Sequence, residues 1–154
     1  MKTRVVCVAL CLCVAAVMSF AADDPQMGTW KLNETKSKIA AGSPKNSTVV
    51  YTAQGDNIKV TVDGADANGQ STHNEWTGKF DGKDYAVTGD PGSDMRSYKK
   101  INPHTMALTV KKDGKVTTSG RIVIAADGKS RTVTTSGTDA KGKKFTSTAV
   151  YDKS

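Results

Sequence analysis

The stretch STVVYTAQGDNIKVTVD, residues 47–63, decides the fold. Two runs rich in β-branched residues flank Gly55-Asp56, and glycine beside aspartate is typical of a tight turn between antiparallel strands. In the second run Ile58, Val60 and Val62 alternate with polar residues, so one strand face is apolar and the other is polar. This stretch therefore predicts a β-hairpin that is buried on one face.

The same arrangement continues along the rest of the chain. Further turn-forming groups are Asp63-Gly64, Asn68-Gly69, Asp81-Gly82, Asp90-Pro91-Gly92, Asn102-Pro103, Asp113-Gly114, Asp127-Gly128 and Lys141-Gly142. Between such turns we predict ten strands, at residues 27–33, 47–53, 57–63, 71–80, 83–88, 94–101, 105–111, 115–125, 130–137 and 144–152. The polar residues 34–46 are predicted to hold one helical turn capped by Asn33. No long segment has the apolar period of a helix, so the chain is predicted to be all-β.

A sheet with one apolar face must bury that face against itself or against a second sheet, because this chain has no helices to cover it. Short turns between consecutive strands favour neighbour-to-neighbour pairing. We therefore expect a single antiparallel up-and-down β-barrel of eight to ten strands, with a sandwich as the alternative.

The first 21 residues are predicted to be a cleaved signal peptide. Lys2 and Arg4 precede an apolar run at residues 5–18, and Ser19 and Ala21 offer small side chains at the positions that a signal peptidase recognises. The apolar run is shorter than the roughly 20 residues that span a bilayer, which argues against a membrane anchor. We expect cleavage after Ala21, export to the periplasm or outside the cell, and a barrel domain at residues 22–154.

All three cysteines, Cys7, Cys11 and Cys13, lie in this leader, so the exported domain is expected to be stable without disulfides. The whole sequence has a net charge of +7, to which the leader contributes two basic residues. The remaining lysines are scattered among turns and polar strand faces, whereas a nucleic-acid site clusters them beside aromatic residues. We expect no nucleic-acid partner and no stable membrane insertion after cleavage, and the oligomeric state stays open.

The motif Gly28-Thr29-Trp30 on the first strand resembles the opening of the calycin superfamily, which includes lipocalins and fatty-acid-binding proteins. The overall pattern is similar to small exported lipocalin-like bacterial proteins of unassigned function. The resemblance implies that Trp30 closes the barrel floor and that a late arginine packs over it, either Arg121 or Arg131. Fatty-acid-binding proteins carry an arginine where this chain has Ala149, so their mode of ligand binding does not transfer.

Few large aliphatic residues remain for a barrel interior once the leader is removed, so we expect a cavity or many interior hydroxyl groups. The leading expectation is an exported protein that binds a small, amphipathic or hydrophobic molecule inside the barrel. Trp76 is the first candidate for a residue that lines the cavity. The remaining predicted ligand contacts are Tyr51, Tyr85, Tyr98 and Arg121.

Two other functions stay open at this point. The first is a structural or interaction module of the cell envelope that binds no small ligand. The second is a hydrolase or isomerase that uses His73 and Glu75, which lie two residues apart on one strand face. No third metal ligand accompanies this pair, and no serine lies in a Gly-x-Ser-x-Gly elbow. We therefore expect a protein that is not an enzyme and that holds no cofactor or metal.

Overall fold

A computed structural model of the protein describes residues 24–139 and 141–154, so the predicted signal peptide lies outside the described residues. Ten antiparallel strands form one closed barrel, in which each strand pairs with its neighbours in the chain and the last pairs with the first. The strands are β1 (Gly28–Leu32), β2 (Lys45–Gln54), β3 (Asn57–Ala65), β4 (Ser71–Gly78), β5 (Tyr85–Thr88), β6 (Met95–Asn102), β7 (Thr105–Lys112), β8 (Lys115–Ile124), β9 (Ser130–Thr138) and β10 (Lys144–Lys153). The predicted all-β class and up-and-down barrel are confirmed, and the closure has ten strands.

Turn chemistry explains the two-residue connection between β7 and β8. Asp113 and Gly114 join β7 to β8 with φ angles of 50° and 74°, both in the left-handed region. Two such residues in succession form the two-residue turn whose twist matches that of antiparallel strands. Lys112 and Lys115 consequently lie directly opposite each other at the end of the ladder.

The polar stretch after β1 contains a short 3₁₀ helix at Glu34–Lys36. The side chain of Asn33 accepts a hydrogen bond from the backbone N–H of Lys36 at 3.2 Å, so the predicted cap is present. Beyond this turn Lys38 forms an isolated bridge with Thr148 of β10.

The apolar strand faces meet inside the barrel, as the alternating pattern predicts. Val60 and Val62 of β3 and Met106 of β7 are buried, whereas Lys59 and Asp63 of β3 are more exposed. The buried apolar core consists of Trp30, Val49, Tyr51, Val60, Val62, Trp76, Val87, Tyr98, Met106, Ile122, Ile124 and Tyr151. Within the residues that the structure describes, no helix has the length and apolar character that crossing a bilayer requires.

Candidate functional site

One end of the barrel is covered by the segment that precedes β1. Trp30 is fully buried, and its Nε1 donates a hydrogen bond to the carbonyl oxygen of Gln26 at 2.8 Å. Lys100 of β6 pairs with Asp24 at 2.6 Å, and Nζ of Lys153 in β10 donates to the backbone of the same segment at 3.1 Å. Because these two lysines belong to well-separated strands, the segment is held across the barrel end and shields Trp30 from water.

Arg131 of β9 is buried against Trp30 with only 2% of its surface exposed. Its guanidinium carbon lies 4.8 Å from the ring centroid of Trp30 and 5.0 Å from those of Tyr51 and Tyr151. A desolvated cation over an aromatic face gains about 2 kcal/mol from the ring quadrupole. The sequence left Arg121 and Arg131 as alternatives for this position, and the structure places Arg131 there.

The barrel holds a second buried arginine, and the two differ in their partners. Arg96 is 8% exposed, and its Nη2 lies 3.2 Å from Oδ1 of Asn74 and 3.6 Å from Oδ2 of Asp90. In Arg131, by contrast, Nε and Nη1 are buried without a hydrogen-bond partner among the described residues, and so are both side-chain amide atoms of Gln26. Arg131 is therefore a buried cation that no carboxylate of residues 24–139 or 141–154 neutralises.

The buried tyrosines beside Arg131 do not supply the missing negative charge. Burial raises the pKa of Tyr151 to about 12, although the Arg131 cation acts in the opposite direction. Burial and the neighbouring Tyr51 raise the pKa of Tyr98 as well. The hydroxyl group of Tyr151 donates to the backbone carbonyl of Asn46 at 3.1 Å. Both phenols consequently stay neutral near pH 7, and the charge of Arg131 remains uncompensated.

Four of the predicted ligand contacts meet inside the barrel. The ring centroid of Trp76 lies 4.8 Å from Tyr98, 5.6 Å from Tyr85 and 6.4 Å from Phe80, and Tyr51 lies 6.3 Å from Tyr98. Trp76 Nε1 donates to a backbone carbonyl of β6 at 2.8 Å. These contacts make one packed aromatic cluster, and Tyr51 connects it to Arg131.

The fifth predicted contact, Arg121, is not part of this cluster. Arg121 is exposed on the outer face of β8, and it lines a groove of about 490 Å³ with Ser119, Gly120, Val123, Thr132, Thr134, Thr135 and Ser136. A second groove of about 370 Å³ is lined by Val116, Thr117, Thr118, Ser119, Ser136, Gly137, Thr138, Lys144, Phe145 and Thr146. The structure therefore places Arg121 in an outer groove between β8 and β9, away from the aromatic residues.

His73 and Glu75 lie on the outer face of β4. Nδ1 of His73 is 2.6 Å from Oδ1 of Asp63, and Glu75 pairs with Lys59 at 2.8 Å. The hydrogen bond to Asp63 raises the pKa of His73, and the carboxylate charges of Asp63 and Glu75 add to the shift. The hydrogen bond from Lys59 lowers the pKa of Glu75. Within the described part of the chain, no group of three possible ligands is arranged to hold a metal ion.

Sequence reasoning missed Gln26 and the unpartnered state of Arg131. One signal was present for the arginine: Arg131 has the same parity along β9 as the apolar Val133, which places a charge on an inward face. Gln26 precedes the first strand and belongs to no periodic pattern. Its burial depends on the way the segment crosses the barrel end, which single-strand periodicity does not describe.

A scan of protein-family models and a search of curated proteins find no match to this chain. The closed ten-strand antiparallel barrel is itself compatible with a calycin-like fold.

Proposed function

We propose that the protein binds a small amphipathic molecule with an anionic group inside its barrel and does not transform it chemically. The uncompensated charge of Arg131 carries this proposal. Removing an ion from water costs several kcal/mol unless hydrogen bonds and an opposite charge offset the loss. Arg96 has Asn74 and Asp90 for this purpose, whereas Arg131 packs against aromatic faces, and its Nε and Nη1 have no hydrogen-bond partner among the described residues. An anionic ligand group beside Nε and Nη1 of Arg131 would supply the hydrogen bonds and the negative charge that the described residues do not.

The surroundings of Arg131 suggest how such a ligand would lie. Tyr51 contacts Arg131 on one side and the aromatic cluster on the other, so a ligand with its charged end at Arg131 would meet apolar rings next. The wall formed by β7 to β10 combines large inward side chains, such as Met106, Ile122 and Tyr151, with small ones. One row of paired positions there consists of Leu108, Gly120, Thr135 and Ser147.

We infer in addition that the chain is a calycin. The Gly28-Thr29-Trp30 motif lies on β1, the barrel closes with ten strands, and Arg131 packs over Trp30, as the resemblance implies for a late arginine. The signal peptide predicted for residues 1–21 makes the periplasm or the extracellular space the place of action.

The two other candidate functions have different support. The first is an interaction module that binds no small ligand. The two grooves on the outer face of β8 and β9 favour this function. Catalysis by His73 and Glu75 has the weakest support, because both side chains are well exposed to water, whereas efficient acid–base sites exclude it.

Native mass spectrometry of the protein purified from its own host tests the proposal. We expect a bound anionic molecule in the wild-type protein and its loss in Arg131→Met, which keeps side-chain length and removes the charge. Lys129→Met is the matched control, because it removes one positive charge at an exposed position close in sequence.

Retention of the molecule in Arg131→Met, or an equal loss in Lys129→Met, would contradict binding at Arg131. A wild-type protein that carries no small molecule would favour the interaction module. Circular dichroism of each variant verifies that the barrel is intact.

A further inference from the structure

The outer surface offers a second site that is independent of the barrel interior. Positive charge is concentrated in one half of the barrel: residues 24–104 contain ten basic and ten acidic residues, whereas residues 105–154 contain ten basic and four acidic residues. In the second half Lys111 is the one basic residue in a close ion pair with a described carboxylate, at 2.6 Å from Asp84. The remaining excess charge is available to an external partner.

The two outer grooves form one continuous furrow in this half. Both grooves are lined by Ser119 and Ser136, which lie opposite each other on β8 and β9. The furrow runs along β8 from Val123 to Val116, a distance of roughly 23 Å at about 3.3 Å per residue. Its length and open shape suit an extended chain better than a compact small molecule.

The chemistry of the furrow is uniform along its length. Most of its lining side chains carry hydroxyl groups, its two cations are Arg121 and Lys144, and none of its lining residues is acidic. Val116 and Val123, at its two ends, are 56% and 42% exposed. Hydroxyl groups exchange hydrogen bonds with other hydroxyl groups, and cations pair with acidic groups.

Further lysines surround the end of the furrow that contains Lys144. They lie at the β7–β8 and β9–β10 turns, and they are Lys112, Lys115, Lys141 and Lys143. The carboxylate of Asp139 in the second turn accepts hydrogen bonds from the backbone N–H groups of Lys141 and Lys143 at 2.9 and 2.8 Å. These hydrogen bonds of Asp139 stabilise the turn. The charge at this end would draw an anionic chain toward the furrow.

We propose that this furrow binds an acidic polysaccharide, with sugar hydroxyls along the serines and threonines and acidic groups at Arg121 and Lys144. The other anionic partners fit less well. Single-stranded nucleic acid binds through stacked aromatic side chains, and Phe145 is the one aromatic residue that lines the furrow. An anionic membrane is bound by surfaces that present large apolar side chains such as Trp, Phe and Leu, whereas the well-exposed apolar residues of this furrow are two valines, Val116 and Val123.

Affinity electrophoresis in alginate, a carboxylated polysaccharide, tests the proposal, with neutral dextran as the reference polymer. We expect alginate to retard the wild-type protein and dextran to leave it unaffected. Arg121→Gln/Lys144→Gln should weaken alginate binding at least tenfold, because it removes two charge-assisted contacts. Lys79→Gln/Lys83→Gln, which removes the same charge from exposed positions of the other half, should change binding less than twofold.

A second pair of variants tests the shape of the furrow without changing charge. Ser136→Trp fills both grooves and should abolish retardation, whereas Thr77→Trp, at an exposed position on β4, should leave it intact. Thermal unfolding verifies that all four variants are folded.

Three results would overturn the proposal. The first is equal weakening in the two glutamine variants, which would indicate non-specific attraction. The second is unchanged binding in Ser136→Trp. The third is tighter binding to phosphatidylglycerol vesicles or to single-stranded DNA than to alginate at the same ionic strength, which would assign the surface to one of those partners.

Discussion

The two halves of the barrel use charge in opposite ways. In residues 24–104 basic and acidic residues are equal in number, and six of the seven close ion pairs among the described residues lie within this half. Residues 105–154 have a positive excess, and their one close ion pair reaches across to Asp84. The same difference is found inside the barrel, because Arg96 has a carboxylate partner and Arg131 has none in the described part of the chain. The first half balances its own charges and contains the packed aromatic cluster, whereas the second half keeps a positive excess that the proposed polysaccharide would neutralise.

The largest expected effect comes from the aromatic cluster of the first half, which we compare with an inward residue of the second half. Trp76 is 1% exposed and packs against three other rings, so Trp76→Ala should lower the free energy of unfolding by about 3–5 kcal/mol. Leu108, an inward residue of the other half, is partly exposed, and Leu108→Ala should cost about 2 kcal/mol or less. Urea denaturation measures both values. Equal losses would show that the two halves are packed alike.

The buried arginines provide the next comparison. Arg96→Met leaves Asp90 and Asn74 without their cationic partner, and we expect a loss of about 2–3 kcal/mol, because Asp90 is partly exposed. Arg131→Met loses cation–π attraction and also removes an unpaired buried charge, so its stability should change by about 1 kcal/mol or less. The measurement is urea denaturation of ligand-free protein. A loss at Arg131 as large as that at Arg96 would mean that the chain itself compensates Arg131.

The strand order and the division of strands into an apolar and a polar face could be predicted because they depend on local chemistry, whereas the faces that point inward could not be assigned for every strand. Turn-forming pairs such as Asp113-Gly114 fix where strands end, and alternation such as Ile58, Val60 and Val62 fixes which face is buried. The 3₁₀ helix likewise follows from Asn33, whose side chain caps a nearby N–H. Each of these features is decided by residues that are close in sequence.

The site was harder to predict because it depends on contacts between distant strands. Trp76, Tyr51, Tyr85 and Tyr98 could be nominated as aromatic residues, and inward parity brings them together. Arg121 and Arg131 could not be distinguished by spacing, because the choice depends on the parity of each arginine within its own strand. The furrow is a property of neighbouring outer faces, which no single strand reveals.

A small increase in stability is expected where like charges oppose each other in the positive half. Lys112 and Lys115 are directly paired, and like charges at such positions are unfavourable. Lys115→Glu should therefore stabilise the barrel by about 0.2–1 kcal/mol at low ionic strength, and 1 M sodium chloride should remove the gain. In the balanced half the same change at Lys59 should destabilise the barrel, because it breaks the pair with Glu75. Stabilisation at both positions would contradict the contrast between the halves.

The smallest expected effect is the titration of His73, which reports charge pairing in the balanced half. Its folded-state pKa is raised above the ordinary value of 6.5 by the hydrogen bond to Asp63. Protonated His73 therefore stabilises the fold fully below about pH 6.5, and this contribution is lost as the pH rises through the folded-state pKa. NMR titration of the ring protons should show this pKa falling in Asp63→Asn and staying unchanged in Asp127→Asn, which removes a carboxylate from a distant turn. An unchanged pKa in Asp63→Asn would mean that the pairing on this face is too weak to distinguish the halves.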